Sequence, residues 1–166
     1  MTHEIERKFL VHDFVPPPAA TAQRVRQGYV AITEEGTEVR IRRASGRQTL
    51  TVKSGTGLVR VEVEREIGEE DFDALWPTTA GARIEKDRYR LPDGPHTVVV
   101  DVYHGALHGL CTAEVEFPSV EAAQRYTPPG WVGEDITGAV GYLNRSLSTH
   151  GIPAHEENTR NDHHGN

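Results

Sequence analysis

Alternation of apolar and polar positions dominates the first two thirds of the chain, and it is interrupted at hairpin-like intervals by Gly and Pro clusters such as Pro92-Asp93-Gly94-Pro95. Successive side chains of a strand point to opposite faces, so this pattern predicts antiparallel β-structure. Eight strands are predicted, at residues 4–11, 24–33, 38–43, 49–53, 58–67, 84–91, 97–103 and 111–117. Eight strands are enough to close a small barrel. We therefore expect a mainly β (α+β) fold built on a closed eight-stranded antiparallel β-barrel.

Helical periodicity is confined to three short segments, which we expect outside the barrel. The first has an acidic first turn and stops at Pro77, Ser119 is placed to cap the second, and Thr137 the third. The predicted helices are residues 69–76, 120–126 and 137–148. With no internal repeat or linker, we expect one domain over residues 1–150, followed by a polar, disordered tail at 151–166.

Composition narrows the class of protein. The chain has 166 residues and a formal net charge of -7, which argues against a protein that holds nucleic acid by bulk attraction to phosphate. Its single cysteine, Cys111, excludes an internal disulfide framework. No segment approaches the roughly 20 apolar residues of a membrane span, and the opening Thr2-His3-Glu4 is unlike a signal peptide. We expect a cytoplasmic protein without a membrane or nucleic-acid partner.

Like charges recur at alternate positions of the predicted strands. Glu-x-Glu occurs in three separate segments and Arg-x-Arg lacks intervening acids, although a solvated sheet face usually mixes both signs. Neighbouring like charges on one face repel each other unless a partner of opposite charge lies between them. A solvated outer face remains the simplest interpretation of any single strand, but the recurrence favours a charged barrel interior.

Two ligands would relieve both repulsions. The Glu-x-Glu pairs and Asp101 offer hard oxygen ligands suited to Mg²⁺ or Mn²⁺, and Arg40, Arg42, Lys53 and Arg88 offer cations for phosphate oxygens. The interior therefore suits a polyphosphate bridged to the protein by divalent metal. The apolar strand faces would then point outward, where the helices cover them, and a second subunit is plausible, which gives a homodimer as the expected assembly.

The N-terminal run Glu4-Ile5-Glu6-Arg7-Lys8 resembles the ExExK signature of the CYTH superfamily, the triphosphate tunnel metalloenzymes. Further matching segments follow in the order typical of short bacterial members. They include Arg26-Gln27-Gly28-Tyr29, Arg40-Ile41-Arg42, Glu62-Val63-Glu64, Lys86-Asp87-Arg88, Asp101-Val102-Tyr103 and Glu114-Val115-Glu116. The resemblance covers residues 2–148 and implies an eight-stranded tunnel that binds triphosphate compounds with divalent metal.

The resemblance also assigns roles by position. It implies metal ligands at Glu4, Glu6, Glu62, Glu64, Asp101, Glu114 and Glu116. It implies phosphate-binding residues at Lys8, Arg26, Arg40, Arg42, Lys53 and Arg88, and catalytic roles for Lys8, Tyr29 and Lys86. Packing on the outer face is the alternative for Tyr29. One departure is the lack of a basic residue in Gly138-Ala139-Val140-Gly141, where members often carry one on a C-terminal helix. Arg145 is the candidate substitute.

These observations together predict metal-dependent hydrolysis of a triphosphate, with inorganic tripolyphosphate as the first choice and diphosphate and phosphate as products. Within the same resemblance, a class IV type adenylyl cyclase and a thiamine or nucleoside triphosphatase are alternatives. A non-catalytic polyphosphate-binding module is the alternative from a different class.

Overall fold

A computed structural model describes residues 5–54 and 61–154. The predicted metal ligand Glu4, the start of the fifth predicted strand and most of the predicted tail lie outside these ranges. No helix among the described residues is long and apolar enough to span a membrane.

Nine strands and three short α-helices make up the described chain. The strands are β1 (Ile5–Val11), β2 (Gln23–Ile32), β3 (Glu38–Ala44), β4 (Arg47–Ser54), β5 (Val61–Ile67), β6 (Arg83–Asp93), β7 (His96–His104), β8 (Cys111–Phe117) and β9 (Val132–Asp135). The helices are α1 (Glu69–Leu75), α2 (Val120–Arg125) and α3 (Asn144–His150), and short 3-10 turns occupy Trp76–Thr79, Gly105–Leu107 and Val140–Tyr142. The prediction of a mainly β fold with few helices is confirmed.

All nine strands form one sheet in the order β5-β4-β3-β2-β6-β7-β8-β1-β9, and each neighbouring pair is antiparallel. The expected closed barrel is wrong, because no pairing in the described sheet joins β5 to β1 or β9. Strand β9, which was not predicted, pairs with the end of β1 through Phe9 and Val11. It occupies hydrogen-bonding groups along that part of the outer edge of β1, and β5 remains the other edge of the open sheet.

The third predicted helix is also wrong in its extent. Gly138, three residues after β9, has φ +75, a left-handed conformation that is not part of a right-handed helix. Regular α-helix begins only at Asn144. Thr137 does not cap this helix. Its hydroxyl oxygen instead accepts a hydrogen bond of 3.0 Å from the backbone N–H of Lys8, which ties the segment after β9 to β1.

Apolar side chains pack in two clusters, one on each face of the sheet. On the outward face, Phe9, Val100 and Val115 pack beneath Ala123 of α2, whose first turn Ser119 caps by accepting a hydrogen bond from the N–H of Ala122. The second cluster joins Leu10, Ile84 and Tyr103 to Leu147 of α3. It lies on the opposite face, which also carries the charged side chains, because Tyr103 pairs in register with Lys86.

Candidate functional site

Strand register gathers most of the predicted site residues on one face of the sheet, which we call the charged face. Residues paired across neighbouring antiparallel strands share a face, and the pairs Lys8 with Glu114, Asp101 with Arg88, and Lys53 with Glu62 belong to it. The same register places on it the side chains of Glu6, Lys8, Tyr29, Arg40, Arg42, Lys53, Glu62, Glu64, Lys86, Arg88, Asp101, Glu114 and Glu116.

Arg26 is not brought to the charged face. It pairs in register with Glu85, donates to the Glu85 carboxylate at 3.0 Å, and stacks 4.7 Å from the centre of the Trp76 ring. The sequence held a signal for this difference. Arg26 and Tyr29 are three residues apart in one strand, so alternation cannot place both on one face without a bulge, and the bulge in β2 falls after Tyr29.

Acidic side chains form one end of the charged face. Glu6 lies directly opposite Glu116 across the β1–β8 pair, and Glu114 is the next residue along that face of β8. These three carboxylates line a cavity of about 640 Å³ together with two arginines, Arg88 and Arg90. Two facing carboxylates repel each other, so this end of the cavity favours a bound cation.

Their oxygen donors fit Mg²⁺ or Mn²⁺, which keep several waters and take phosphate oxygens as further ligands. Among the residues described, no three carboxylate, histidine or cysteine groups converge closely enough to hold a metal unaided. A metal at Glu6, Glu114 and Glu116 would therefore need further ligands, such as waters or phosphate oxygens.

Glu62 and Glu64 lie apart from this acidic end, on the edge strand β5. The Glu62 carboxylate is 3.9 Å from the Lys53 ammonium, and Glu64 accepts a hydrogen bond of 3.2 Å from the Thr51 hydroxyl. Because the sheet is open, both glutamates are exposed to solvent. The structure does not bring them together with Glu114 and Glu116.

Asp101 lies at the centre of a buried ion-pair group. Its carboxylate accepts from the Lys86 ammonium at 2.8 Å and from two nitrogens of the Arg88 guanidinium, each at 2.8 Å. The side chains of Lys86 and Asp101 are 2% and 1% exposed. Burial raises the pKa of Asp101, but the hydrogen bonds and charges of Arg88 and Lys86 outweigh it and leave the pKa lowered. The Asp101 carboxylate is thus occupied by two cations of the protein itself.

Cations occupy the middle of the charged face. Arg40 and Arg42 alternate along β3, and the Nε atom of each is buried without a hydrogen-bond acceptor among the described residues. Burial lowers the pKa of Arg42, and the neighbouring charges of Arg88 and Arg40 lower it further. Unmatched donors and crowded positive charge are the features expected of an anion site.

Lys8 and Tyr29 are held by contacts that the sequence did not reveal. The Lys8 ammonium donates to the backbone carbonyl of Tyr142 at 2.8 Å and lies 3.5 Å from the Glu114 carboxylate. Tyr29 is buried beside Arg40, and burial raises the pKa of its hydroxyl. The outer-face alternative for Tyr29 is therefore wrong, since its register partner is Arg40. A backbone carbonyl carries no residue-type signal, so the contact of Tyr142 could not be predicted.

Arg145 reaches the same region from α3. Its guanidinium donates to the Glu38 carboxylate at 3.1 Å, and Glu38 begins the strand that carries Arg40 and Arg42. The C-terminal segment thus contacts the charged face both at Lys8 and at Glu38. Arg145, the candidate substitute for the basic residue that the Gly138–Gly141 segment lacks, thus lies beside this face, and its role stays a prediction.

Comparisons with known proteins agree with this geometry. The model of the CYTH domain family matches residues 2–126. The chain is 44% identical to an inorganic triphosphatase of Nitrosomonas europaea over 87% of this chain and 96% of that protein. It is 36% identical to an inorganic triphosphatase of Acetivibrio thermocellus over 89% and 94% of the two chains. A crystal structure of an inorganic triphosphatase superposes with a TM-score of 0.78 at 39% identity and covers 93% of this chain and 99% of that one.

Proposed function

Because the chain belongs to the CYTH family, we propose that it hydrolyses a triphosphate in a divalent-metal-dependent reaction, with inorganic tripolyphosphate as its substrate and diphosphate and phosphate as products. The observation that carries the proposal is the division of the charged face. Three glutamates line a cavity at one end of the face. On β3 of the same face, the Nε atoms of Arg40 and Arg42 are buried without an acceptor among the described residues. Two relatives named inorganic triphosphatases support the choice of substrate.

Phosphoryl transfer needs mainly positioning and neutralisation of charge. Arg40, Arg42, Arg88 and Lys53 are placed to bind the phosphate oxygens of an extended substrate along β3, β6 and β4. Asp101 fixes the orientation of Arg88 through two parallel hydrogen bonds and holds Lys86 beside it. Lys8, fixed by Tyr142 and Glu114, is placed to bind a phosphate near the carboxylates.

Glu6, Glu114 and Glu116 are the residues that would hold the metal, and Mg²⁺ or Mn²⁺ fits their oxygen donors. Glu4 is retained as a further ligand on the resemblance alone, since it precedes the described residues. When bound, such an ion neutralises phosphate charge and lowers the pKa of water. Tyr29 and Lys86 keep their proposed catalytic roles, and both are buried on the charged face.

The deciding experiment is a panel of phosphate-release assays in Mg²⁺ and in Mn²⁺. We expect release from tripolyphosphate that greatly exceeds release from ATP or thiamine triphosphate. Formation of cyclic AMP from ATP would support the cyclase instead. Binding of tripolyphosphate without turnover in either metal would support the non-catalytic module and contradict the proposal.

The cytoplasm is the proposed location, on the basis of the lone Cys111. A homodimer is the proposed assembly, and Val61 and Val63 are exposed apolar residues on the edge strand β5. Light scattering of the purified protein would measure the mass in solution, and a monomer at micromolar concentration would contradict the dimer.

A further inference from the structure

Gln27 carries an unmatched hydrogen-bond donor on the charged face. Its side chain is 1% exposed, and its Nε2 atom has no hydrogen-bond partner among the described residues. The Nε atoms of Arg40 and Arg42 are buried and unmatched in the same way. Register places the three side by side, since Gln27 pairs with Arg42 across β2 and β3 and the adjacent pair is Tyr29 with Arg40.

A buried donor without an acceptor destabilises the folded chain, and such groups are rare in proteins. Three of them on neighbouring positions therefore indicate a missing acceptor. The surroundings restrict what that acceptor is. Arg42 lies next to Gln27 on one side, Ile84 lies on the other, and the buried Lys86 is the next residue on that face of β6. Crowded cations and a neutral amide suit a ligand that is anionic and only accepts hydrogen bonds, as fully ionised phosphoryl oxygens do.

We propose that Gln27 is a substrate-binding residue, whose amide N–H donates to a phosphoryl oxygen of the triphosphate held by Arg40 and Arg42. This inference rests on the proposed function of the same site. It adds a neutral donor to a set otherwise made of cations, and the amide contributes at every pH because it does not titrate. The neighbouring Arg26 does not take part in this binding, because register places Gln27 but not Arg26 on the charged face.

For the Gln27→Leu variant we expect higher stability without ligand but weaker binding of tripolyphosphate. Without ligand, removal of the unmatched donor should raise the melting temperature, by about 2 °C. With tripolyphosphate in the presence of a chelator, the dissociation constant measured by calorimetry should rise about tenfold or more, the usual loss for a hydrogen bond to a charged group. Metal-free conditions prevent turnover, so the measurement reports binding alone.

Gln48→Leu is the matched control, because Gln48 lies on the neighbouring sheet region but on the opposite face, in register with Arg43. It should leave the dissociation constant unchanged. Gln27→Glu is the second variant if Gln27→Leu does not fold, since a carboxylate beside Arg42 can form an ion pair. It should weaken tripolyphosphate binding more than Gln27→Leu does, because it adds a negative charge.

Two results would overturn the inference. A Gln27→Leu protein that melts at a lower temperature yet binds tripolyphosphate as the wild type does would show a structural role only. Unchanged binding by Gln27→Glu would do the same. Failure of the wild type itself to bind or hydrolyse tripolyphosphate would instead contradict the proposed function, so the two failures are distinguishable.

Discussion

Carboxylates on the charged face differ in what surrounds them. Asp101 is enclosed by Lys86 and Arg88, whereas Glu6 and Glu116 face each other at the wall of an open cavity. The sequence alone placed all three in one metal-binding set, because a carboxylate at an alternate strand position has the same pattern whatever it contacts. Burial and partners separate them, since a fully paired carboxylate has few lone pairs left for a metal.

Glu116→Gln tests the metal assignment at this scale. Loss of one ligand charge should raise the metal concentration needed for half-maximal activity by about tenfold or more. Stability should stay the same or rise by up to about 1 kcal/mol, because the repulsion from Glu6 is removed. A metal titration of phosphate release measures the first effect, and urea unfolding without metal measures the second. Glu121→Gln, an exposed change on α2, is the control, and an equal metal requirement in both variants would refute the assignment.

Asp101→Asn should show the opposite pattern to Glu116→Gln, namely lower stability with an unchanged metal requirement. The change leaves the Lys86 ammonium buried without its counter-charge, which typically costs about 3–5 kcal/mol of folding free energy. Turnover should fall because Arg88 keeps only one of its two acceptor oxygens and loses the counter-charge, but the metal concentration for half-maximal activity should not change. Urea unfolding and the same metal titration test both points. A shifted metal requirement with unaltered stability would return Asp101 to the metal ligands.

The second scale is that of the strands and helices, whose positions depend on close contacts as well as on periodicity. Strand β8 matches its predicted bounds, and α2 begins at the predicted cap Ser119. Strand β2 is fixed against the 3-10 turn Trp76–Thr79, where Gly28 lies beneath Thr79. This contact holds β2 against the turn, and β2 carries Gln27 and Tyr29 on the charged face. Packing of the turn therefore affects the position of these two residues.

Gly28→Ala tests that contact. A Cβ atom at residue 28 would lie 2.5 Å from the Cβ of Thr79, so the turn or the strand must move. We expect a loss of about 1–3 kcal/mol in the free energy of unfolding, as for other overpacked sites. Gly130→Ala is the control, because nothing lies within 4 Å of a Cβ there, and it should change stability by less than about 0.5 kcal/mol. Equal denaturant midpoints for the two variants would show that the turn yields at no cost.

At the scale of the whole molecule, net charge does not describe how charge is distributed. The chain carries a formal charge of -7, but its charged face gathers Arg40, Arg42, Lys86 and Arg88 within a few strands. The acidic total argues against a nucleic-acid surface and does not exclude a phosphate site. Self-repulsion of these cations also means that an anion should stabilise the fold before any metal binds.

Tripolyphosphate added to the chelator-treated protein should therefore raise its melting temperature. At about one hundred times the dissociation constant, binding linkage predicts about 2.7 kcal/mol of added stability. The effect should weaken as salt rises from about 0.1 M to 1 M, because the screening length shortens from about 10 Å to 3 Å. Thermal melts across a salt series test this. Stabilisation that requires metal at every salt concentration would show that the cations alone do not form the anion site.

The sequence by itself determined the strand pattern and the division into charged and apolar faces, because side-chain alternation is a local property of the backbone. It also contains the ordered motifs on which the family resemblance rests. The tertiary structure decided the features that depend on contacts between residues far apart in the sequence. β9 pairs with β1 while the sheet stays open at β5, register with Glu85 turns Arg26 away from the charged face, and Lys86 and Arg88 enclose Asp101. Each outcome follows from which residues meet across strands far apart in the chain, and local periodicity carries no information about those meetings.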